Sequence, residues 1–129
     1  MARPILIIED DPDISDVLCY SLEMAKFETL VAFNGAAGLS AALDRNNPPA
    51  LILLDLLLPG MNGIEVCRRL RRELLTEHTP IVMITAKTSE ADFARALAAG
   101  VDDYIIKPFS VRKVIERIAV LLGHSEDGL

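Results

Sequence analysis

Five short apolar segments constrain this chain more than any other feature. They are Ile5-Leu6-Ile7-Ile8, Thr29-Leu30-Val31-Ala32, Leu51-Ile52-Leu53-Leu54, Ile81-Val82-Met83-Ile84 and Tyr104-Ile105-Ile106. Three of them are continuous rather than alternating and end at an acid or a threonine. A strand with one wet face alternates, so continuous runs mark parallel strands covered by helices on both sides.

Helical spacing fills the intervals. Ile14, Val17, Leu18, Leu22 and Ala25 form one stripe, and Leu39, Ala42 and Leu43 a second. Val66, Leu70 and Leu74 form a third, Phe93, Ala96 and Leu97 a fourth, and Val111, Val114, Ile115, Ile118 and Leu122 a fifth. Asp11 before Pro12 suits an N-cap and first helical position. Asn62 with Glu65, and Ser89 with Asp92, have capping-box spacing, and Gly100 and Gly123 suit helix ends. The pattern predicts a (βα)5 domain, an α/β doubly wound sheet with helices on both faces. The domain is expected over residues 1–123, with 124–129 a tail or truncated linker.

Composition removes several classes of function. Half of the 129 residues (51%) are hydrophobic, enough for a core, and the net charge of −6 offers no basic footprint for nucleic acid. No apolar run approaches the roughly 20 residues that span a bilayer, and no signal peptide is expected at the N-terminus. Cys19 and Cys67 lie in helical patterns and read as free thiols of a reducing, cytoplasmic compartment.

In an open parallel sheet, ligands gather beyond the C-terminal ends of the strands. That rule selects Glu9, Asp10 and Asp11 after the first strand, Asp55 after the third, Thr85 at the end of the fourth and Lys107 after the fifth. Clustered carboxylates raise one another's pKa, and a hard divalent cation relieves this through oxygen ligands. A carboxylate can also attack phosphorus, while a hydroxyl and an ammonium hold phosphoryl oxygens. The set reads as a phosphoryl-transfer site. Asp11 reads as a helix cap and Asp13 as a first-turn acid. Arg68, Arg69, Arg71 and Arg72, flanked by Glu65 and Glu73, read as a solvated, ion-paired helix face. His78 and His124 are isolated.

Four segments carry a family resemblance: ILIIEDDP (Ile5 to Pro12), LILLDLLLPGMNG (Leu51 to Gly63), IVMITA (Ile81 to Ala86) and GVDDYIIKPFS (Gly100 to Ser110). In that order, the chain resembles the receiver domain of two-component response regulators from about Pro4 to Leu122. The resemblance implies a flavodoxin-like five-stranded sheet of order 2-1-3-4-5. It implies Asp55 as phosphoacceptor and Mg²⁺ (or Mn²⁺) held by Asp10, Asp55, the Leu57 carbonyl and Glu9, the last through water or as an outer ligand. Thr85 becomes the switch hydroxyl, Lys107 the phosphoryl-binding cation, Ala86 the small residue leaving room, and Tyr104 the aromatic switch. Lys107-Pro108 becomes a cis peptide. The implied partners are a histidine kinase or histidine phosphotransfer protein, and an effector domain or downstream protein. The latter is met through the face of the fourth helix, fifth strand and fifth helix.

Receivers of DNA-binding regulators dimerise through that face on phosphorylation. Asp103 and Arg117 match one of their interface salt bridges. Phe93 stands where a basic residue is usual, Lys113 where an acid is usual, and Ala98 and Ala119 replace another pair. Phe93 then marks an exposed apolar contact for another partner. Haloacid-dehalogenase-type phosphatases share the aspartyl phosphate, but that scheme leaves Asp55 idle. An FMN carrier needs a phosphate loop where this chain has acids. The chain reads as a signalling domain that accepts a phosphoryl group, not as a turnover enzyme. It is either a stand-alone receiver or one domain of a longer regulator.

Overall fold

The structure is a computed structural model that describes residues 3–87 and 89–123. The expected tail, including His124, lies outside the described residues. The five apolar segments form β1 (Ile5–Ile8), β2 (Thr29–Ala32), β3 (Leu51–Leu54), β4 (Ile81–Thr85) and β5 (Asp103–Ile106). They pair in parallel in the order β2-β1-β3-β4-β5. Between and after them run α1 (Pro12–Met24), α2 (Gly35–Ala42), α3 (Gly63–Arg72), α4 (Glu90–Ala99) and α5 (Val111–Leu121). No described helix is long and apolar enough to cross a membrane.

Alternation along each buried strand divides the interior into two cores. Leu6, Ile8, Ile52, Leu54 and Met83 face α2, α3 and α4, while Ile5, Ile7, Leu51, Leu53, Val82 and Ile84 face α1 and α5. Every one of these strand residues is buried, and each such side chain contributes about 1.5–3 kcal/mol. A sheet dry on both faces is what continuous apolar runs demand.

Short polar side chains start all five helices. Asp11, Asn34, Asn62, Ser89 and Ser110 accept the N–H of Asp13, Ala37, Glu65, Asp92 and Lys113, respectively. Each cap is worth about 1 kcal/mol. Gly100 ends α4 at φ +108, in the left-handed region where a Cβ is strained.

Three helical stripes differ from their expected faces. In α1, Ser15 is buried and Val17 is half exposed. Ser15 can be buried because its hydroxyl donates to the Pro12 carbonyl at 3.2 Å. The α4 core face is Asp92, Ala96 and Ala99, with Phe93 and Leu97 turned outward. Ala96 and Ala99 join Val66, Cys67 and Leu70 of α3 in one core. The third stripe stops at Leu70, because α3 ends at Arg72 and Leu74 is exposed in the loop that follows.

Candidate functional site

Parallel pairing brings the ends of β1, β3, β4 and β5 to one rim, and with them the residues that follow. Glu9 and Asp55 are buried there, Asp10 is exposed, and one carboxylate oxygen from each lies within 4.8 Å of the others. Lys107 Nζ donates to Glu9 Oε1 at 2.9 Å and to Asp55 Oδ2 at 2.8 Å. The second oxygen of each buried carboxylate takes a backbone donor: Asp11 N–H to Glu9 Oε2 at 3.1 Å, and Leu57 N–H to Asp55 Oδ1 at 3.0 Å. The Leu57 side chain is exposed, and its amide closes the turn after β3 onto Asp55.

Three carboxylates against one ammonium leave the rim negative. Burial pushes Glu9 above the usual carboxylate range, with Lys107 opposing and Asp55 adding to the shift. Burial alone would lower Lys107, but the bonds to Asp55 and Glu9 outweigh it and hold the ammonium above its ordinary value. Three hard oxygen donors within 4.8 Å of one another, one of them on an exposed residue, could hold a small divalent cation. Asp11 stays out of this set and caps α1.

Close approach of α3 shapes the floor. A Cβ on Gly63 would sit 2.3 Å from the Asp55 carbonyl oxygen, so the first residue of α3 is pressed against the strand end. The Gly63 amide donates to Leu56 O at 2.8 Å and fixes that contact.

Thr85 is fully buried at the end of β4, and its Oγ1 accepts Lys87 N–H at 3.3 Å. Ala86 beside it is exposed. Half-buried Tyr104 donates its hydroxyl to Lys87 O at 2.8 Å and stacks edge-on against Phe93, with centroids 5.4 Å apart. Burial, then Asp92 and Asp55, raise the Tyr104 phenol. The Lys107–Pro108 peptide is cis. Arg117 pairs with Asp103 inside the one chain, across β5 and α5.

The spacing of the arginine run predicts one solvated face, and Arg71 departs from it. Arg69 does pair with Glu65 at 3.0 Å on the surface. Arg71, however, is mostly buried at the opposite end of the sheet. It donates to Gly100 O (2.8 and 3.0 Å), Thr76 O (3.0 Å), Thr79 O (2.7 Å) and Asp102 Oδ2 (2.9 Å). Asp102 Oδ2 also accepts Ile81 N–H at 2.8 Å, which locks the start of β4. The sequence held one hint of this: a glycine and an acid just before β5, within reach of a helix that carries arginines.

A doubly wound sheet of this order, with an acidic rim closed by a lysine, defines a flavodoxin-like receiver-type domain. The chain belongs to the response regulator receiver domain family, whose model matches residues 5–119. It is 42% identical to the DNA-binding response regulator MtrA of Mycolicibacterium smegmatis over 98% of this chain and 54% of that protein. It is also 42% identical to the phosphate regulon transcriptional regulatory protein PhoB of Pseudomonas aeruginosa, over 99% of this chain and 55% of that protein. The chain thus spans about half the length of these two relatives. A solved CheY-like response regulator receiver domain protein from Methanospirillum hungatei superposes with a TM-score of 0.88 at 31% identity, covering 98% of each chain.

Proposed function

We propose that Asp55 accepts a phosphoryl group from a histidine kinase or a histidine phosphotransfer protein in a Mg²⁺-dependent reaction. The observation that carries this reading is the pairing of buried Asp55 with Lys107 at 2.8 Å beside two further carboxylates. A carboxylate oxygen of Asp55 attacks the phosphorus of the phosphohistidine. The P–N bond breaks, its electron pair returns to the imidazole, and the product is an acyl phosphate on Asp55. Glu9, Asp10, Asp55 and the Leu57 carbonyl hold the cation, which supplies charge neutralisation at the phosphoryl oxygens. Lys107 follows the new charge from the carboxylate to the phosphoryl group.

Thr85 donates its hydroxyl proton to a phosphoryl oxygen and moves inward, and Tyr104 follows. The α4–β5–α5 face then repacks and changes its affinity for an effector domain, a downstream protein or a second copy of the chain. The domain acts as a switch and catalyses only its own phosphorylation and dephosphorylation.

Incubation with acetyl phosphate and Mg²⁺, followed by intact-mass measurement, tests the reading. One phosphoryl group is expected on the parent and none on Asp55→Asn. Chelation of divalent cations is expected to slow labelling by roughly 100-fold or more, the scale of several kcal/mol of charge stabilisation. Full labelling of Asp55→Asn at another residue would falsify the assignment.

A further inference from the structure

Thr85 and Tyr104 share no direct hydrogen bond, yet the backbone of one residue serves both. The Lys87 N–H donates to Thr85 Oγ1, and the Lys87 carbonyl accepts the Tyr104 hydroxyl. The Lys87 backbone therefore connects Thr85 to Tyr104 through two hydrogen bonds. The second of these bonds alone does not fix an aromatic side chain with two torsions, because the ring can still pivot about its anchored hydroxyl.

Phe93 supplies the second restraint. Its ring meets Tyr104 edge-to-face, with planes 77° apart, the arrangement that the aromatic quadrupole favours. The turn that carries Phe93 is itself held. Ser89 caps α4, and Asp92 is buried, accepts the Ser89 hydroxyl at 2.7 Å and pairs with Arg95. Phe93 remains 46% exposed, so it lies outside the core, and its ring contact is with Tyr104.

We infer that Phe93 is a positioning residue for Tyr104: its ring and the Lys87 carbonyl form a two-point latch that makes Tyr104 follow Thr85. The inference rests on the reading of Asp55 as phosphoacceptor and names a residue that regulates the same switch. An aromatic pair of this geometry biases a two-state population roughly 2- to 10-fold.

Tyr20 and Tyr104 are the two tyrosines of the chain, and Tyr20 lies exposed on α1. Protein labelled with 3-fluorotyrosine, with Tyr20→Phe for assignment, gives a ¹⁹F resonance for Tyr104 alone. Acetyl phosphate with Mg²⁺ is expected to shift that resonance as Asp55 is labelled. In Phe93→Ala, labelling by mass should persist within about threefold, while the Tyr104 shift falls roughly 2- to 10-fold. Phe93→Trp keeps an aromatic ring at this exposed position without adding a tyrosine, and should retain the parent's shift. The latch is overturned by a Phe93→Ala protein that labels with an undiminished shift, by a parent that labels with none, or by loss of labelling in Phe93→Ala alone. Absence of labelling in the parent overturns instead the phosphoacceptor reading.

Discussion

At the C-terminal rim of the sheet, Lys107 meets two buried carboxylates while a third stands exposed beside them. At the N-terminal rim, Arg71 spreads over the carbonyls of Gly100, Thr76 and Thr79 and pairs with Asp102, whose Oδ2 also takes the Ile81 amide. Both clusters join a basic side chain to distant segments of chain. The second balances charge and fills its acceptors, whereas the first keeps a surplus of negative charge and an open carboxylate. A balanced cluster has nothing to gain from a ligand. In an unbalanced one, like charges repel, and a cation would relieve that repulsion.

The largest break in this comparison comes from Arg71→Met, which keeps the apolar stem and removes every donor. Half-buried carbonyls and Asp102 lose their partner together, and unfolding by urea should show a loss of about 2–4 kcal/mol. An unchanged midpoint would mean that water replaces the guanidinium freely. Arg71→Lys should recover only part of the loss, since one ammonium cannot span carbonyls of both the α3–β4 and the α4–β5 loops.

Next in size is a pair of matched substitutions with opposite signs. Without divalent cations, Asp10→Asn should raise stability by about 0.5–1 kcal/mol by relieving like-charge repulsion. Asp102→Asn should lower it by about 1 kcal/mol, because the ion pair with Arg71 is lost. The stabilisation that Mg²⁺ confers should also shrink in Asp10→Asn and persist in Asp102→Asn, as thermal melts with and without the metal would reveal. Two changes of the same sign would remove the distinction between the rims.

The smallest effect is a chemical probe of the structural end. Cys67 of α3 is buried and donates to the Ala99 carbonyl at 3.3 Å; burial pushes its thiol from 9.0 up to about 11. At pH 8 only about one molecule in a thousand would carry the thiolate, so iodoacetamide should modify half-buried Cys19 well before Cys67. The native state holds this proton more tightly than the unfolded chain. Stability should therefore fall as pH rises from about 9 to about 11, and Cys67→Ala should flatten that slope. Faster modification of Cys67 in Arg71→Met would place the thiol within the segment that Arg71 closes.

Much of the fold was legible because two-sided burial leaves an unmistakable record. Ile5–Ile8, Leu51–Leu54 and Ile81–Ile84 could only be covered strands, and Asp11, Asn62 and Ser89 announced three helix starts. Glu9, Asp10, Asp55, Thr85 and Lys107 could be gathered in advance because strand ends share a rim. Helix faces were harder. Period identifies a stripe, but the neighbouring element chooses its phase, which is why Ser15 is buried in place of Val17 and Ala99 in place of Phe93. Arg71 looked like its solvated neighbours, since no local pattern shows which arginine of four will reach carbonyls contributed by two other loops.

The sequence by itself determined the strand runs, the helix caps and the residue types at the strand ends, because these follow from local burial and backbone satisfaction. Tertiary structure decided which charges meet: Lys107 with Glu9 and Asp55, Arg117 with Asp103, Arg71 with Asp102 and Gly100. It also set the link from Thr85 through Lys87 to Tyr104 and Phe93. Charge pairing and ring stacking act over a few ångströms between residues far apart in the chain, so they are fixed only once the sheet has brought those residues together.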